Sequence, residues 1–422
     1  MLTLHRSQVL LASLALAASF SVLAADPDIS ALDLKPELGE KSAAPGRKLF
    51  VEGAVGRADQ RYGLGSRTIS RASVDFRDSG RLSPSIQATL SARVDATDPD
   101  DPRIDGAVLS LREAFIGWQD ETASYLAELG RVNLRDGPGY GYNPTDFFRD
   151  QALRTLTTVN PFTLRENRMG TVMLRAQRLW PDASLSVVLA PKLESRRSSA
   201  GFNADFGATN AQSRASVALS NRWSEKVNTQ FLAYKEDSAS VRFGGSLTAL
   251  VSQAAVLHAE GAWGREPDLL SRALGLAAPA TSRSRLAAGL TYTTDSKLSI
   301  TAEVQYNGFA LGRDQWLAQV QPNPLVQAAY YLKSQDLQDN AGRQSWLLYA
   351  VQRDLGVKGL DLTALVKVNR NDHSRMLWLD LRHRFDQVDL ALQLLRNTGV
   401  GGSEFGVIPI RDSVGLVATF YF

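Results

Sequence analysis

The last nine residues, Val414-Gly415-Leu416-Val417-Ala418-Thr419-Phe420-Tyr421-Phe422, constrain the fold more than any other stretch of the chain. Counting back from the end, Phe422, Phe420, Ala418, Leu416 and Val414 occupy every second position. Successive side chains of a strand point to opposite faces, so these five form one apolar face. A soluble edge strand would rarely leave two phenylalanines at a chain end facing water. A strand whose apolar face meets lipid has no such difficulty.

The same period of two recurs upstream. Leu298, Ile300, Ala302, Val304 and Tyr306 alternate with Ser299, Thr301, Glu303, Gln305 and Asn307. Ile86 to Asp95, Leu360 to Asn369 and Leu377 to Arg382 behave alike. Alternation alone also suits a soluble sandwich, with the apolar face turned inward. The connections discriminate. About 18 strand-like segments, an even number within the range of bacterial barrels, start near Leu49, Ser66, Pro84, Asp105, Ala123, Arg168, Ala183, Gln212, Lys226, Ser240, Ser252, Thr281, Lys297, Arg343, Lys358, Ser374, Val388 and Asp412. Connections after even segments are short, as at Pro181-Asp182, Ser224-Glu225, Asp295-Ser296 and Asp386-Gln387. Those after odd segments are long, at 134–167, 192–211, 265–280, 308–342 and 397–411, though 236–239 and 371–373 are short on that side. Phe76, Trp118, Trp180, Trp223, Tyr292 and Phe385 each precede an even-segment turn, where amphipathic rings form an interfacial girdle. The predicted fold is all-β, a transmembrane antiparallel barrel over 49–422.

The N-terminus agrees with export. His5 and Arg6 precede an apolar stretch from Val9 to Leu23, closed by the small residue Ala24. This predicts a signal peptide over 1–24, with cleavage after Ala24 or, as the alternative, Ala25. Residues 25–48, with Pro27, Pro36, Pro45 and Gly46, read as an irregular periplasmic lead or a small plug. No later apolar run approaches the ~20 residues of a membrane helix. The chain has no cysteine, and its formal charge of +3 over 422 residues excludes a strongly basic nucleic-acid-binding protein.

Residues 134–167 form a candidate constriction loop. The run Asp136-Gly137-Pro138-Gly139-Tyr140-Gly141-Tyr142 permits a sharp reversal. Asn143-Pro144, with Asp146 following, predicts a short helix that places Phe148, Ala152 and Leu156 on one face. The loop can then fold into the lumen or lie on the barrel rim. Arg131, Arg135, Arg149, Arg154, Arg165 and Arg168 cluster here, and strand parity adds Arg93, Arg175, Arg382 and Arg384 to the lumen. Charged rings set which solutes enter a pore. The same arginines can instead form wall-to-wall ion pairs with Asp75, Asp95, Glu303, Asp361, Asp380 and Asp389.

Enzymatic readings find little footing. His258, His373 and His383 have no metal-like spacing, and no cofactor fingerprint stands in context. His373 and Ser374 are neighbours and would face opposite sides of a strand, so they cannot act as base and nucleophile. A barrel-borne hydrolase using His258 or His383 remains a third reading.

The exported start, the alternating strands and the Phe422 ending resemble Gram-negative outer-membrane porins and exporters. The strand count and the Gly/Arg-rich segment 130–168 are similar to polysaccharide-exporting barrels of the alginate type and to substrate-specific porins. A terminal Phe on an alternating strand resembles the signal read by the barrel assembly machinery, which would engage Leu416, Ala418, Phe420 and Phe422. The resemblance implies a channel in the outer membrane, among lipid and lipopolysaccharide, passing small or polymeric solutes with anions favoured. The alternative is a non-conducting scaffold that docks a periplasmic protein or export partner. No metal, cofactor or nucleic acid is expected.

Overall fold

The computed structural model describes residues 46–97, 106–194, 200–237 and 239–422. The expected signal peptide, its cleavage positions and residues 25–45 of the lead lie outside these. In chain order the strands are β1 (Gly46–Gln60), β2 (Ser66–Arg81), β3 (Ile86–Thr97), β4 (Ala107–Gln119), β5 (Tyr125–Val132) and β6 (Thr171–Leu179). There follow β7 (Ala183–Ala190), β8 (Arg214–Ser224), β9 (Val227–Glu236), β10 (Arg242–Ser252), β11 (Ala255–Glu266) and β12 (Thr281–Thr293). The last six are β13 (Leu298–Asn307), β14 (Gln344–Gln352), β15 (Leu360–Asn369), β16 (Arg375–Arg384), β17 (Val388–Thr398) and β18 (Ile410–Tyr421). Among the described residues the helices lie in connections that follow odd-numbered strands: α1 (Pro161–Glu166), α2 (Leu269–Leu274), α3 (Arg313–Gln319) and α4 (Pro324–Asp336).

Each strand pairs antiparallel with its chain neighbours, and β1 pairs with β18 from Phe50↔Tyr421 to Gln60↔Ile410, which closes the sheet. Closure leaves no free sheet edge, the condition for strands to cross a bilayer. The observed starts depart from the expected ones by at most three residues, as at Thr171 against Arg168. The same offset at Gly46 against Leu49 moves Gly46, Arg47 and Lys48 from the lead into the wall.

Burial shows which face is outside. On β18, Val414, Leu416 and Phe420 are exposed, as is Phe422 just after it, whereas Val417 and Thr419 are buried. Val51 and Val55 on β1, Leu90 on β3, and Leu390, Leu392 and Leu394 on β17 continue that exposed apolar belt. Trp118, Trp180, Trp223, Tyr292 and Phe385 project outward at the short-turn rim, with Phe76 half-buried on the same outer face. The lumen-facing partners on β2 and β3 are Ser73, Asp75, Arg93 and Asp95, all buried.

The short turns carry their own chemistry. In the turn after β14, the Asp354 carboxylate accepts the Gly359 N–H at 2.8 Å and pairs with Lys297. The Gly359 hydrogen bond and then Lys297 hold that carboxyl down, at about 2. A depressed value means its contribution is present above the ordinary carboxylate range and is lost as pH falls through about 2. An NMR titration of Asp354 should therefore show its midpoint well below ordinary Asp. A midpoint at the ordinary value would mean that the turn is open.

On the opposite rim the long connections form a cap. Leu269, Ala310, Leu311, Trp316, Val320, Tyr330, Tyr331, Leu337 and Ala341 make one apolar cluster, with Val407 packed against it. Each large side chain so buried contributes roughly 1.5–3 kcal/mol. The Tyr330 hydroxyl donates to the Ala341 carbonyl at 2.8 Å and accepts the Leu311 N–H at 3.0 Å. That of Tyr331 donates to the Gly402 carbonyl at 3.2 Å, tying the 399–409 connection to α4.

Candidate pore constriction

The connection after β5, residues 133–170, runs inside the barrel. Its tip meets β11 and β13, on the far side of the sheet from the strands it joins. The Glu260 carboxylate of β11 accepts the N–H groups of Gly139 (2.7 Å) and Thr145 (3.1 Å), the Thr145 hydroxyl (2.6 Å) and the Asn143 amide (3.1 Å). Glu303 of β13 accepts the N–H groups of Tyr140 (2.7 Å) and Gly141 (3.1 Å). Successive N–H groups converging on a carboxylate form an anion nest, here built around wall side chains. Gly137 has φ of +87°, and a Cβ on Gly137 or Gly139 would meet the Glu260 carboxylate, so only glycine admits this approach.

Apolar contacts hold the rest of the loop. Phe147 stacks on Tyr234 with centroids 4.8 Å apart, and Phe148 meets the same ring edge-on at 5.6 Å. Val132, Met173, Val188, Ala190, Leu232 and Ala262 complete that cluster. On the other side Tyr140 stacks on His258 at 5.4 Å, and Phe162 packs against Tyr349 at 5.6 Å. The lumen therefore carries apolar seats on its wall, including Leu347, Leu365 and Trp378. The polar-in expectation does not hold at these positions, because the incoming loop covers them.

The expected helix at Asn143 is absent; that segment forms turns, and the helix of this loop is α1, at Pro161–Glu166. Two Asn-Pro pairs compete for the role of helix start. Asn143 spends its amide as a donor to the Gly139 carbonyl (2.7 Å) and to Glu260, while Asp146 is taken by Arg168 at 2.7 Å. Asn160 is free to cap, and its side-chain oxygen accepts the Phe162 N–H at 3.0 Å, with Pro161 opening the helix. Phe148 and Ala152 are buried but Leu156 is 61% exposed, so the three do not share a face.

The ten expected pore arginines do not form a single ring. Arg131 is fully buried and donates to the carbonyls of Leu111 (3.0 Å), Ala204 (2.9 Å) and Phe206 (2.9 Å), which makes it an anchor for the connection after β7. Arg154 holds the same connection through the Asn203 carbonyl (2.6 Å) and Asp205 (3.3 Å). Arg165 donates to the Asp136 carbonyl (3.0 Å) and Arg168 to Asp146, which staples the loop to itself. Arg93 pairs with Asp95 (2.9 Å), Glu52 (3.1 Å) and Asp75 (3.3 Å), and Arg175 with Glu128 (3.3 Å). Arg382 pairs with Asp380 (3.2 Å) and Arg384 with Asp361 (2.9 Å). Four of the ten, Arg93, Arg175, Arg382 and Arg384, make ion pairs between wall residues. Arg135, Asp136 and Arg175 line a vestibule beneath the loop, together with Gln177, Ser184, Ser186, Ser216, Ser220 and Gln230.

Arg149 belongs to a second group that was not expected as such. It donates to the Leu337 carbonyl at 3.1 Å and pairs with Asp339 at 3.4 Å, both from the 308–343 connection. Asp339 also pairs with Arg285 of β12 at 3.0 Å, and Arg285 reaches Glu266 at 2.8 Å. Glu266 in turn meets Arg242 (3.1 Å) and Arg272 (3.0 Å). Burial alone would raise the Asp339 carboxyl, but Arg285 and Arg149 outweigh it and hold the group below the ordinary range. Strand parity from Thr281 would have placed Arg285 in the lumen. Nothing local in the sequence shows that Asp339 descends to meet it.

The histidines are committed elsewhere. His258 bonds Glu303 at 3.0 Å beneath Tyr140, His383 stacks on Phe385 at 4.4 Å, and His373 faces Arg313 at 3.4 Å. Among the described residues no group of three or more metal-capable side chains occurs.

A closed eighteen-stranded antiparallel sheet with an exposed apolar belt and a charged, loop-filled interior is an outer-membrane β-barrel. No protein-family model matches the chain, and no curated protein sequence matches it. Its fold is similar to that of solved structures. OccAB1 of Acinetobacter baumannii superposes with a TM-score of 0.56 at 10% identity, over 91% of this chain and 99% of that one. OccK8 (OprE) of Pseudomonas aeruginosa gives 0.53 at 8% identity, over 89% and 97%. OccK11 (OpdR) of the same organism gives 0.51 at 12% identity, over 89% and 96%.

Proposed function

We propose that the protein is a selective outer-membrane channel for small anionic solutes, with residues 133–170 as its constriction. The observation that carries this reading is the loop held across the lumen by Glu260 and Glu303, above a vestibule of serines and glutamines that Arg135 and Arg175 enter. Hydroxyl, amide and guanidinium donors outnumber the single lining carboxylate, Asp136, which suits a hydrated anion, and the loop narrows the path beside them. Planar-bilayer reversal potentials under a KCl gradient test the sign. The wild type should favour chloride, and the double variant R135Q/R175Q should lose most of that preference. Cation preference in the wild type would overturn the anionic assignment while leaving the channel.

One observation favours the non-conducting scaffold as a second reading. The cap and the constriction loop are bonded to each other: Gln151 N–H donates to the Asp336 carbonyl at 2.7 Å, and the Gln338 amide donates to the Arg149 carbonyl at 2.5 Å. Absence of single-channel events from correctly folded protein would select that reading.

A further inference from the structure

The barrel carries basic charge on its lipid-facing side at the long-connection rim. Directly paired residues of neighbouring strands share a face. Val368 of β15 pairs with Arg375 of β16, Leu377 with Arg396 of β17, Arg396 with Asp412 of β18, and Val414 with Arg57 of β1. Since Leu377 and Val414 belong to the exposed apolar belt, Arg375, Arg396 and Arg57 face outward with them, and all three are exposed. Arg370 lies beside them, its guanidinium 4.1 Å from the centre of the outward ring of Trp346. Arg411 is exposed at the start of β18.

The carboxylates within this patch are Asp412, 3.4 Å from Arg396 and 2.7 Å from Arg411, and Asp59, 4.0 Å from Arg411. Five guanidiniums against two carboxylates leave a net charge of three. The side chains of Arg57 and Arg375 have no ion-pair or hydrogen-bond partner among the described residues.

Height decides what meets the patch. Outward residues on β17 read Leu390, Leu392, Leu394 and then Arg396. From Val388 to Arg396 a strand rises roughly 26 Å, or about 20 Å along the membrane normal at a tilt near 40°. Arg396 therefore stands at the upper edge of an apolar band about 25 Å tall, at headgroup level in the outer leaflet. Guanidiniums there, with Arg57 and Arg375 unpaired and Arg396 sharing Asp412 with Arg411, are stabilised by phosphate, whose oxygens accept two parallel N–H groups.

We infer that Arg57, Arg375 and Arg396, flanked by Arg370 and Arg411, form a binding site for the phosphates of an outer-leaflet glycolipid. The assignment is independent of what the lumen conducts. Detergent-purified full-length protein, titrated with diphosphoryl lipid A under native mass spectrometry, tests it. The wild type should retain a saturable adduct, and R57Q/R375Q/R396Q should bind about tenfold or more weakly. The variant's conductance should stay unchanged, because none of the three side chains enters the lumen. Equal binding by both proteins, or equal binding of dephosphorylated lipid A by the wild type, would overturn the site. Phosphatidylglycerol held as tightly as lipid A would overturn the glycolipid assignment. Should the triple variant fail to fold, R375Q alone decides, with an expected loss of about threefold.

Discussion

Replacing Glu260 and Glu303 together by alanine should convert the barrel into a wide, noisy pore with several-fold higher single-channel conductance. The two carboxylates accept the N–H groups of Gly139, Tyr140, Gly141 and Thr145, together with the Thr145 hydroxyl and the Asn143 amide. Hydrogen bonds to a charged acceptor contribute about 1.5–3 kcal/mol each where the acceptor is removed from water. Losing several of them shifts the loop between held and released states by a few powers of ten. Phe147 and Phe148 would still sit against Tyr234, so the loop should swing about its apolar seat and need not leave the barrel. Heat-modifiable mobility on gels confirms that the variant is folded. Unchanged conductance from a folded E260A/E303A barrel would show that the loop does not gate the path.

The second large effect concerns Arg285. Its guanidinium lies buried between Glu266 and Asp339, joining the wall to the cap. R285M should destabilise the protein by about 3–5 kcal/mol, because one partner of a buried pair is removed and two carboxylates are left behind. Asp339 provides the internal check. Its folded carboxyl is held below the ordinary value, so its contribution is present above the ordinary carboxylate range and disappears as pH falls through the lowered value. Without Arg285 that loss should move to higher pH, and D339N added to R285M should recover part of the stability. Urea unfolding midpoints across pH read both effects. A midpoint unchanged in R285M would mean that the cap is held by its apolar cluster alone.

Much of the architecture was legible from residue periodicity. Strand number, strand boundaries and the side bearing long connections all follow from alternation and turn chemistry, which are local properties. Phe420 and Phe422 point outward as their spacing requires. Reading was poorer where two distant segments share one residue. Asn143-Pro144 has every local mark of a helix start, yet Glu260, more than a hundred positions later, takes its side chain. The arginines of the constriction were legible as a composition, but their roles were not. Arg131 and Arg154 hold backbone carbonyls, while Arg135 and Arg175 enter the vestibule.

By itself the sequence determined a closed barrel in a bilayer, because a period of two is imposed residue by residue and the solvent on each face is chosen by side-chain polarity alone. Only the tertiary structure decided what fills that barrel. Whether a lumen arginine meets solute, a carboxylate or a carbonyl depends on which connection descends beside it. That in turn depends on pairings such as Asp339 with Arg285, between segments whose separation along the chain carries no periodic signal.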